Sequence, residues 1–402
     1  MDSERAMTAY HYSDREWQAL LPWVGRSIPV PPAPTRAGPT PGQAGLASGQ
    51  TAPGRPAPAR LGSPAGLLGN RVRGMLLGLA VGDSLGNTSE GMRPEERRRA
   101  HGEVRDYLPN RREEMLPIGL PSDDTQLAFW TLESLLRRGY LDPADLADTF
   151  TRQHRIFGIG STMTAFLFAY RFGGKEWFEA GQPSAGNGAL MRIAPVLLPH
   201  LRSMTEALWA DVVAATVLTH RDEAAVAASV GLVGLLAECL ARPEGEDPPA
   251  RWWPETFLRY ARPVESPADG ALYRSRVPGD PFQGSLCDRV EQQVFRAIDA
   301  GESVLTAAER WYSGAYLPET VPCVLHILSC HGDDPEEAII RAVNDTQDND
   351  TVAAIVGAAV GALHGEASVP ACWREGLLGR TREDDDGHVQ RLIDEAVEAF
   401  VV

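Results

Sequence analysis

The chain has 402 residues, 43% hydrophobic and 23% charged, which is enough apolar material for a large buried core. Its 38 basic and 54 acidic side chains leave a net charge of −16, which excludes a general nucleic-acid binder with a basic face. Five irregularly spaced cysteines exclude a disulfide framework, and a cytoplasmic protein in a reducing compartment is expected.

Residues 1–28 begin with charged and polar side chains and lack the apolar run of a signal peptide. Within them Asp14 to Leu21, after Ser13 as cap, reads as a short amphipathic helix. Residues 29–66 are dominated by Pro, Gly and Ala without periodicity, so a disordered linker is expected, leaving residues 1–28 on a tether. From 67 to 402 apolar residues recur at three-to-four spacing in segment after segment, and alternating strand patterns are nearly absent. An all-α domain is expected over 67–402, interrupted by a Pro-, Gly- and Arg-rich surface insertion at 243–285. The apolar stretch from Val352 to Leu363 is shorter than the roughly 20 residues of a membrane-spanning helix, and no membrane association is expected.

Two acidic turns stand out. Ser122-Asp123-Asp124-Thr125-Gln126 precedes an apolar helix, and a simple capping box from Asp123 to Gln126 would account for it. Asp348-Asn349-Asp350-Thr351 heads a helix with almost no polar side chain for three turns. Such a helix must be buried, and ionised carboxylates at its start are costly without a positive partner. No Lys or Arg lies between Val343 and Leu363, and a divalent cation would supply the missing charge. Ser122, Asp123, Asp124, Asp348, Asp350 and Thr351 offer only oxygen, which selects Mg²⁺ or Mn²⁺ over Zn²⁺. Four carboxylates suit two cations about 3.5–4 Å apart better than one. Small residues also repeat every fourth position, at Gly74, Gly78, Gly82 and Gly86 and at Ala353, Gly357, Gly361 and Gly365, a pattern of tight helix packing. The first stripe runs into a Gly-Asp-Ser-Leu-Gly turn whose Asp83 either caps that turn or supports a nearby acid.

These segments resemble the ADP-ribosylglycohydrolase family over roughly residues 70–370. The likeness rests on Gly78 to Gly86 followed by Glu90, on Ser122 to Gln126, on Gly158-Ile159-Gly160-Ser161-Thr162, on Gly186-Asn187-Gly188 through Pro195, on Thr219-His220, and on Asp348 to Thr351. The resemblance implies an all-helical fold with a central binuclear Mg²⁺ or Mn²⁺ site. The family's Thr-Asp-Asp ligands fall on Ser122, Asp123 and Asp124, and its Asp-x-Asp-Thr ligands on Asp348, Asp350 and Thr351. Ser122 replaces the usual Thr and keeps the hydroxyl. Asn349, with Asn344-Asp345 upstream, departs from the usual Gly-Gly-Asp-Thr-Asp-Thr run and puts the loop geometry in doubt.

The implied activity is hydrolysis at the anomeric carbon of an ADP-ribosyl group, with Asp123 and Asp350 at the catalytic centre and Glu90 as acid/base or gate. A helix-cap role is the other reading of Glu90. Ser184-Ala185-Gly186-Asn187-Gly188 precedes a helix expected near Ala189, where free amides would receive a diphosphate. Gly158 and Gly160 offer a similar loop. His220, at a helix end, is either a substrate contact or a buried structural group, and the helix dipole there favours its protonated form. The expected partner is an ADP-ribosylated protein, with arginine as acceptor by family precedent. The alternative is an immunity protein that blocks an ADP-ribosyltransferase toxin, with Trp17, Leu20, Leu21 and Trp23 of the tethered segment available to occlude a cleft.

Overall fold

The structure, a computed structural model, describes residues 11–24, 27–34, 64–265 and 270–402. After α1 (Asp14–Val24) come α2 (Pro64–Gly86), α3 (Pro94–His101), α4 (Asp123–Arg138), α5 (Pro143–Thr151), α6 (Ser161–Arg171) and the short α7 (Trp177–Ala180). The second half carries α8 (Ala207–Val217), α9 (Glu223–Ala241), α10 (Trp252–Ala261), α11 (Leu286–Ala300) and α12 (Val304–Trp311). It ends with α13 (Leu317–His331), α14 (Pro335–Asp345), α15 (Asn349–His364), α16 (Ala371–Gly376) and α17 (His388–Phe400). Among the described residues, β-structure is confined to two antiparallel pairs, Pro109–Asn110 with Leu116–Pro117 and Tyr273–Arg274 with Gln283–Gly284. The fold is all-α.

The centre of the fold is α15, in which every residue from Asn349 to Leu363 is buried. Its small-residue stripe meets that of α2. Gly74 faces Gly361, Gly78 faces Gly357, and Gly82 faces Ala353, so the two helices run antiparallel with backbones in contact. A Cβ on Gly78 would collide with the carbonyl oxygen of Gly357, and one on Gly357 with that of Gly78. Two helices can approach this closely only where side chains are missing. The expected Gly-Asp-Ser-Leu-Gly turn is therefore not a turn. α2 continues through it to Gly86, which has helical φ −82° and ψ −45°. These glycines serve close approach rather than chain reversal. α9 is long and apolar enough to span a membrane, yet it is packed among neighbouring helices as a core element.

Two further expectations change. The 243–285 region contains α10, whose Trp253, Phe257 and Tyr260 are buried, because the aromatic side chains outweigh the surrounding Pro and Arg. The N-terminal segment is not held apart on a tether in its described part. Ser13 and Glu16 form a capping box, with Ser13 N and Oγ both donating to Glu16 Oε2 at 2.7 Å. Trp177 Nε1 donates to Glu16 Oε1 at 2.7 Å, and Tyr12 donates to Asp211 at 2.7 Å. Trp17 and Leu20 are buried in the common core, and Leu21 and Trp23 pack partly against it. Residues 27–34 follow the body too, with Trp209 Nε1 donating to the Pro29 carbonyl at 3.1 Å. The remainder of the predicted linker, 35–63, lies outside the described residues. Leu20→Ala is expected to lower stability by about 2 kcal/mol or more, measured as a shift in denaturation midpoint. An unchanged midpoint would show that the segment contributes nothing to the core.

Candidate active site

The α2–α15 contact ends with Gly86 against the backbone of Asp350. One turn back along α2, Asp83 is fully buried beside the start of α4. Its carboxylate accepts from Ser122 N at 2.9 Å, Ser122 Oγ at 2.6 Å and Thr125 N at 3.1 Å. A carboxylate from another helix therefore satisfies the free amides that open α4. The local capping box does not form. Ser122 Oγ turns to Asp83 and to Asp124 Oδ2 at 3.1 Å, while Gln126 accepts from Phe157 N and donates to Thr381 O, both at 2.8 Å.

The second acidic turn is braced from three sides. Asp348 N donates to Ser313 O at 3.0 Å, and Asn187 Nδ2 donates to Asp348 Oδ2 at 2.5 Å and to Thr320 Oγ1 at 3.0 Å. Asn349, the departure from the family pattern, is fully buried. Its Nδ2 donates at 3.1 Å to Gly86 O, Ser89 Oγ and Val343 O, tying the turn to the end of α2. Arg97, also fully buried, donates to the carbonyls of Asn344 (3.2 Å), Thr346 (2.8 Å) and Met92 (3.0 Å) and to Ser89 Oγ (2.9 Å). It lies in a Glu-Glu-Arg-Arg-Arg run that reads as a solvated helix face, so no sequence signal marks it. Asp345 pairs with Arg341 at 3.2 Å and stands outside the cluster.

One carboxylate oxygen each of Asp83, Asp124 and Asp350 lie within 4.8 Å of one another, as do those of Glu90, Asp348 and Asp350. These trios include Asp83 and Glu90, which the predicted ligand set omits, and leave out Asp123, which lines the adjoining cleft. Both oxygens of Asp83 already accept hydrogen bonds, so Asp83 acts as a brace. Among the described residues, no Lys, Arg or His forms an ion pair with Asp123, Asp124, Asp348 or Asp350. Burial, then Asp83 and Asp123, push Asp124 well above the usual carboxylate range. Burial, then Asp124 and Glu90, do the same to Asp350. Burial raises Asp348 to about 6 against the lowering bond from Asn187. Glu90 is exposed at the cleft mouth, where crowding protein atoms and then the charges of Asp348 and Asp83 lift it to about 7. Asp124 Oδ1 is buried without a hydrogen-bond partner. An orphan oxygen among crowded carboxylates, with only hard donors around it, fits a divalent cation.

The cluster floors a cleft of about 190 Å³ walled by Gly158, Gly160, Gly186, Asn187, Gly188 and His220, with Glu90, Asp123, Asp124, Asp348, Asp350 and Thr351 below. Nearly all the predicted site residues thus converge. Ser122 and Ser184 stand just behind the wall, Ser184 Oγ bonded to Thr162 Oγ1 at 2.9 Å and accepting from Gly186 N at 3.2 Å. Gly158 has φ +80°, and a Cβ there would sit 3.0 Å from Asp123 Oδ1, so this position requires glycine. No α-helix begins near Ala189. Two 3₁₀ segments, Leu190–Arg192 and Ala194–His200, follow the Gly-Asn-Gly loop, and isolated bridges pair Gln182 with His220 and Gly186 with Tyr316 before them. Besides α4 and α15, which open at the acidic turns, α6 presents its N-terminus to this cleft through Ser161 and Thr162.

His220 is buried and its pKa falls to about 3, from burial first and then Arg192, so the expected protonated form is not the one present. The helix dipole acts over one turn and is outweighed by desolvation. Arg192, fully buried, donates to Thr219 Oγ1 at 2.8 Å, and Thr219 Oγ1 meets His220 Nδ1 at 2.9 Å. Arg192 takes one lone pair of Thr219 Oγ1, and a Thr219 proton shared with Nδ1 would leave Nε2–H beside Gly186 and Gly188.

The sequence profile of the ADP-ribosylglycohydrolase family matches residues 64–401. An uncharacterised protein of Archaeoglobus fulgidus is 31% identical over 316 residues, covering 77% of this chain and 92% of its own length. The ADP-ribosylarginine hydrolase Tri1 of Pseudomonas putida is 27% identical over 336 residues, covering 81% of this chain and 77% of its own. A solved structure titled ADP-ribosylglycohydrolase-related protein complex superposes with a TM-score of 0.58 at 29% identity, covering 83% of this chain and 98% of that one. Profile, fold and the convergence of two acidic turns on one cleft agree: the chain belongs to the ADP-ribosylglycohydrolase family.

Proposed function

We propose that residues 67–402 form a hydrolase that removes ADP-ribose from modified arginine side chains of proteins, using two Mg²⁺ or Mn²⁺ ions. The observation that carries this reading is the buried Asp124 oxygen without a hydrogen-bond partner, on a carboxylate clustered with those of Asp83 and Asp350 at the floor of a glycine-walled cleft. In this reading Ser122, Asp123, Asp124, Asp348, Asp350 and Thr351 hold the cations, which when bound supply Lewis acidity and a water of lowered pKa. Asp83 and Asn187 position the ligands on either side. Amides of Gly158 to Thr162 and of Gly186 to Gly188, with His220 Nε2–H, receive the diphosphate and ribose oxygens. Glu90, at the cleft mouth within reach of Asp348 and Asp350, is placed to protonate the departing guanidine nitrogen as a water oxygen bonds to the anomeric carbon and the C–N bond breaks. A relative named for arginine supports that choice of acceptor. Five free cysteines suit a reducing cytoplasm. The toxin-blocking alternative is not carried forward, since of its four proposed anchors Trp17 and Leu20 are buried in this chain's own core and Leu21 and Trp23 pack partly against it.

The test is release of ADP-ribose from arginine-, serine- and nucleobase-linked substrates, followed by mass spectrometry with and without chelator. Chelator-sensitive release from arginine is expected. Release from serine or a base alone would refute the acceptor, and chelator-insensitive release would refute the metal.

A further inference from the structure

A groove of about 520 Å³ leads out of the catalytic cleft. Glu90, Ser122 and Gly158 form its inner end, and Arg111, Arg112 and Met115 its outer end. Across Phe157 a second cleft of about 400 Å³ adds Arg155, Arg380 and Arg382. Five arginines facing one region run against the −16 charge of the chain. Three are answered by carboxylates: Arg155 by Glu383 at 2.8 Å, Arg382 by Glu133 at 2.7 Å, and Arg380 by Glu113 and Asp386. Two are not. Among the described residues the Arg112 guanidinium meets no carboxylate; it donates to the carbonyls of Leu120 and Pro121 and lies 4.0 Å from the centre of the Phe157 ring. Arg111 is exposed and makes no ion pair or side-chain hydrogen bond among the described residues.

The same hairpin carries an unusual tip. Glu114 and Met115 both adopt left-handed backbone, φ 49° and 65°, a conformation costly for side chains larger than glycine. Its result is to leave Met115 and Leu116 56% and 53% exposed beside the two unanswered guanidinium groups. Folding alone gives no reason to hold two apolar side chains in water on a strained turn.

Granting the hydrolase reading above, we propose that Arg111, Arg112, Met115 and Leu116 dock an acidic, partly apolar segment of the modified protein, flanking the side chain that enters the cleft. Charge complementarity selects the acidic residues and the hairpin tip covers the apolar ones. A nucleic acid fits less well. The Phe157 face a base would stack on is taken by Arg112 and Arg155.

Binding of a fluorescent, unmodified peptide rich in Glu and Leu to the full chain tests this without turnover. Its Glu→Gln counterpart and a single-stranded oligonucleotide of equal charge serve as comparisons. The acidic peptide should bind best and weaken roughly tenfold in Arg111→Glu, with a separate loss in Met115→Ser and at high salt. On an ADP-ribosylated acidic peptide, Arg111→Glu should raise KM and leave kcat unchanged, with free ADP-ribosylarginine unaffected. Equal binding of the Glu and Gln peptides, stronger binding of the oligonucleotide, or no effect of either substitution would overturn the proposal. Failure of the wild-type chain to release ADP-ribose would instead sink the hydrolase reading, while peptide binding still decides this one.

Discussion

Asp350→Asn is expected to reduce ADP-ribose release by at least about 100-fold while making the chelated protein more heat-stable than the wild type. The two effects share one cause. Asp350 is buried beside Asp124, Glu90 and Asp348, and its pKa is pushed well up by burial and then by those charges. Asp348 is raised to about 6 and Glu90 to about 7. A carboxyl group whose folded pKa is raised contributes stability below its unfolded value, and that contribution is lost as pH climbs through the folded value. The metal-free wild type should therefore lose stability between about pH 4 and pH 7, on the order of a few kcal/mol. Divalent ions that bind only the folded state reverse this, by about 2.7 kcal/mol at a hundredfold excess over Kd. Replacing Asp350 removes one of the repelling charges and one ligand at once, so the variant should start higher and gain little from Mg²⁺ or Mn²⁺. Thermal melts at pH 5 and pH 8, with chelator and with each metal, read both quantities. A wild-type-sized metal gain in the variant would contradict the assignment of Asp350 to the ion site.

The second large effect is expected from Gly357→Leu. The carbonyl oxygen of Gly78 occupies the space a side chain would need, and that oxygen belongs to a helix backbone that cannot swing aside. α2 and α15 would have to separate along the whole stripe from Gly74 to Gly86. We expect a loss of about 3 kcal/mol or more in chemical denaturation, the upper end for overpacking in a core. Metal affinity should fall as well, because the same contact sets Gly86 against Asp350 and Asp83 against α4. Unaltered stability would mean that the small-residue stripes are incidental to the fold.

Much of this arrangement was legible beforehand because it is written in local chemistry. A run such as Val352 to Leu363 has no solvent-tolerant face, so its helix must be central, and aspartates at its head must meet something positive. The same logic singles out Asp123 and Asp124. Gly158 is readable because few other residues tolerate its φ of +80°. The misreadings have the opposite character. Gly82 and Gly86 read both as packing residues and as the ends of a turn, and the partner helix shows that they serve packing alone, clearing space for Ala353 and Asp350. Asp123 and Gln126 read as a local capping box, but a loop amide at Phe157 claims Gln126, and a carboxylate from α2 takes the Ser122 hydroxyl just before them.

What the sequence determined by itself is the list of parts: helical periodicity, two acidic turns, two small-residue stripes and the glycine loops, each set by interactions a few residues long. What the tertiary structure decided is who meets whom. The pairing of α2 with α15, the use of Asp83 as a brace, the buried Arg97 beneath the second turn and the docking of Trp17 and Leu20 all join residues scores to hundreds of positions apart. Periodicity and propensity act over one or two turns of helix and carry no information about such partners. Burial and charge then change the chemistry of each group only once those partners are in place.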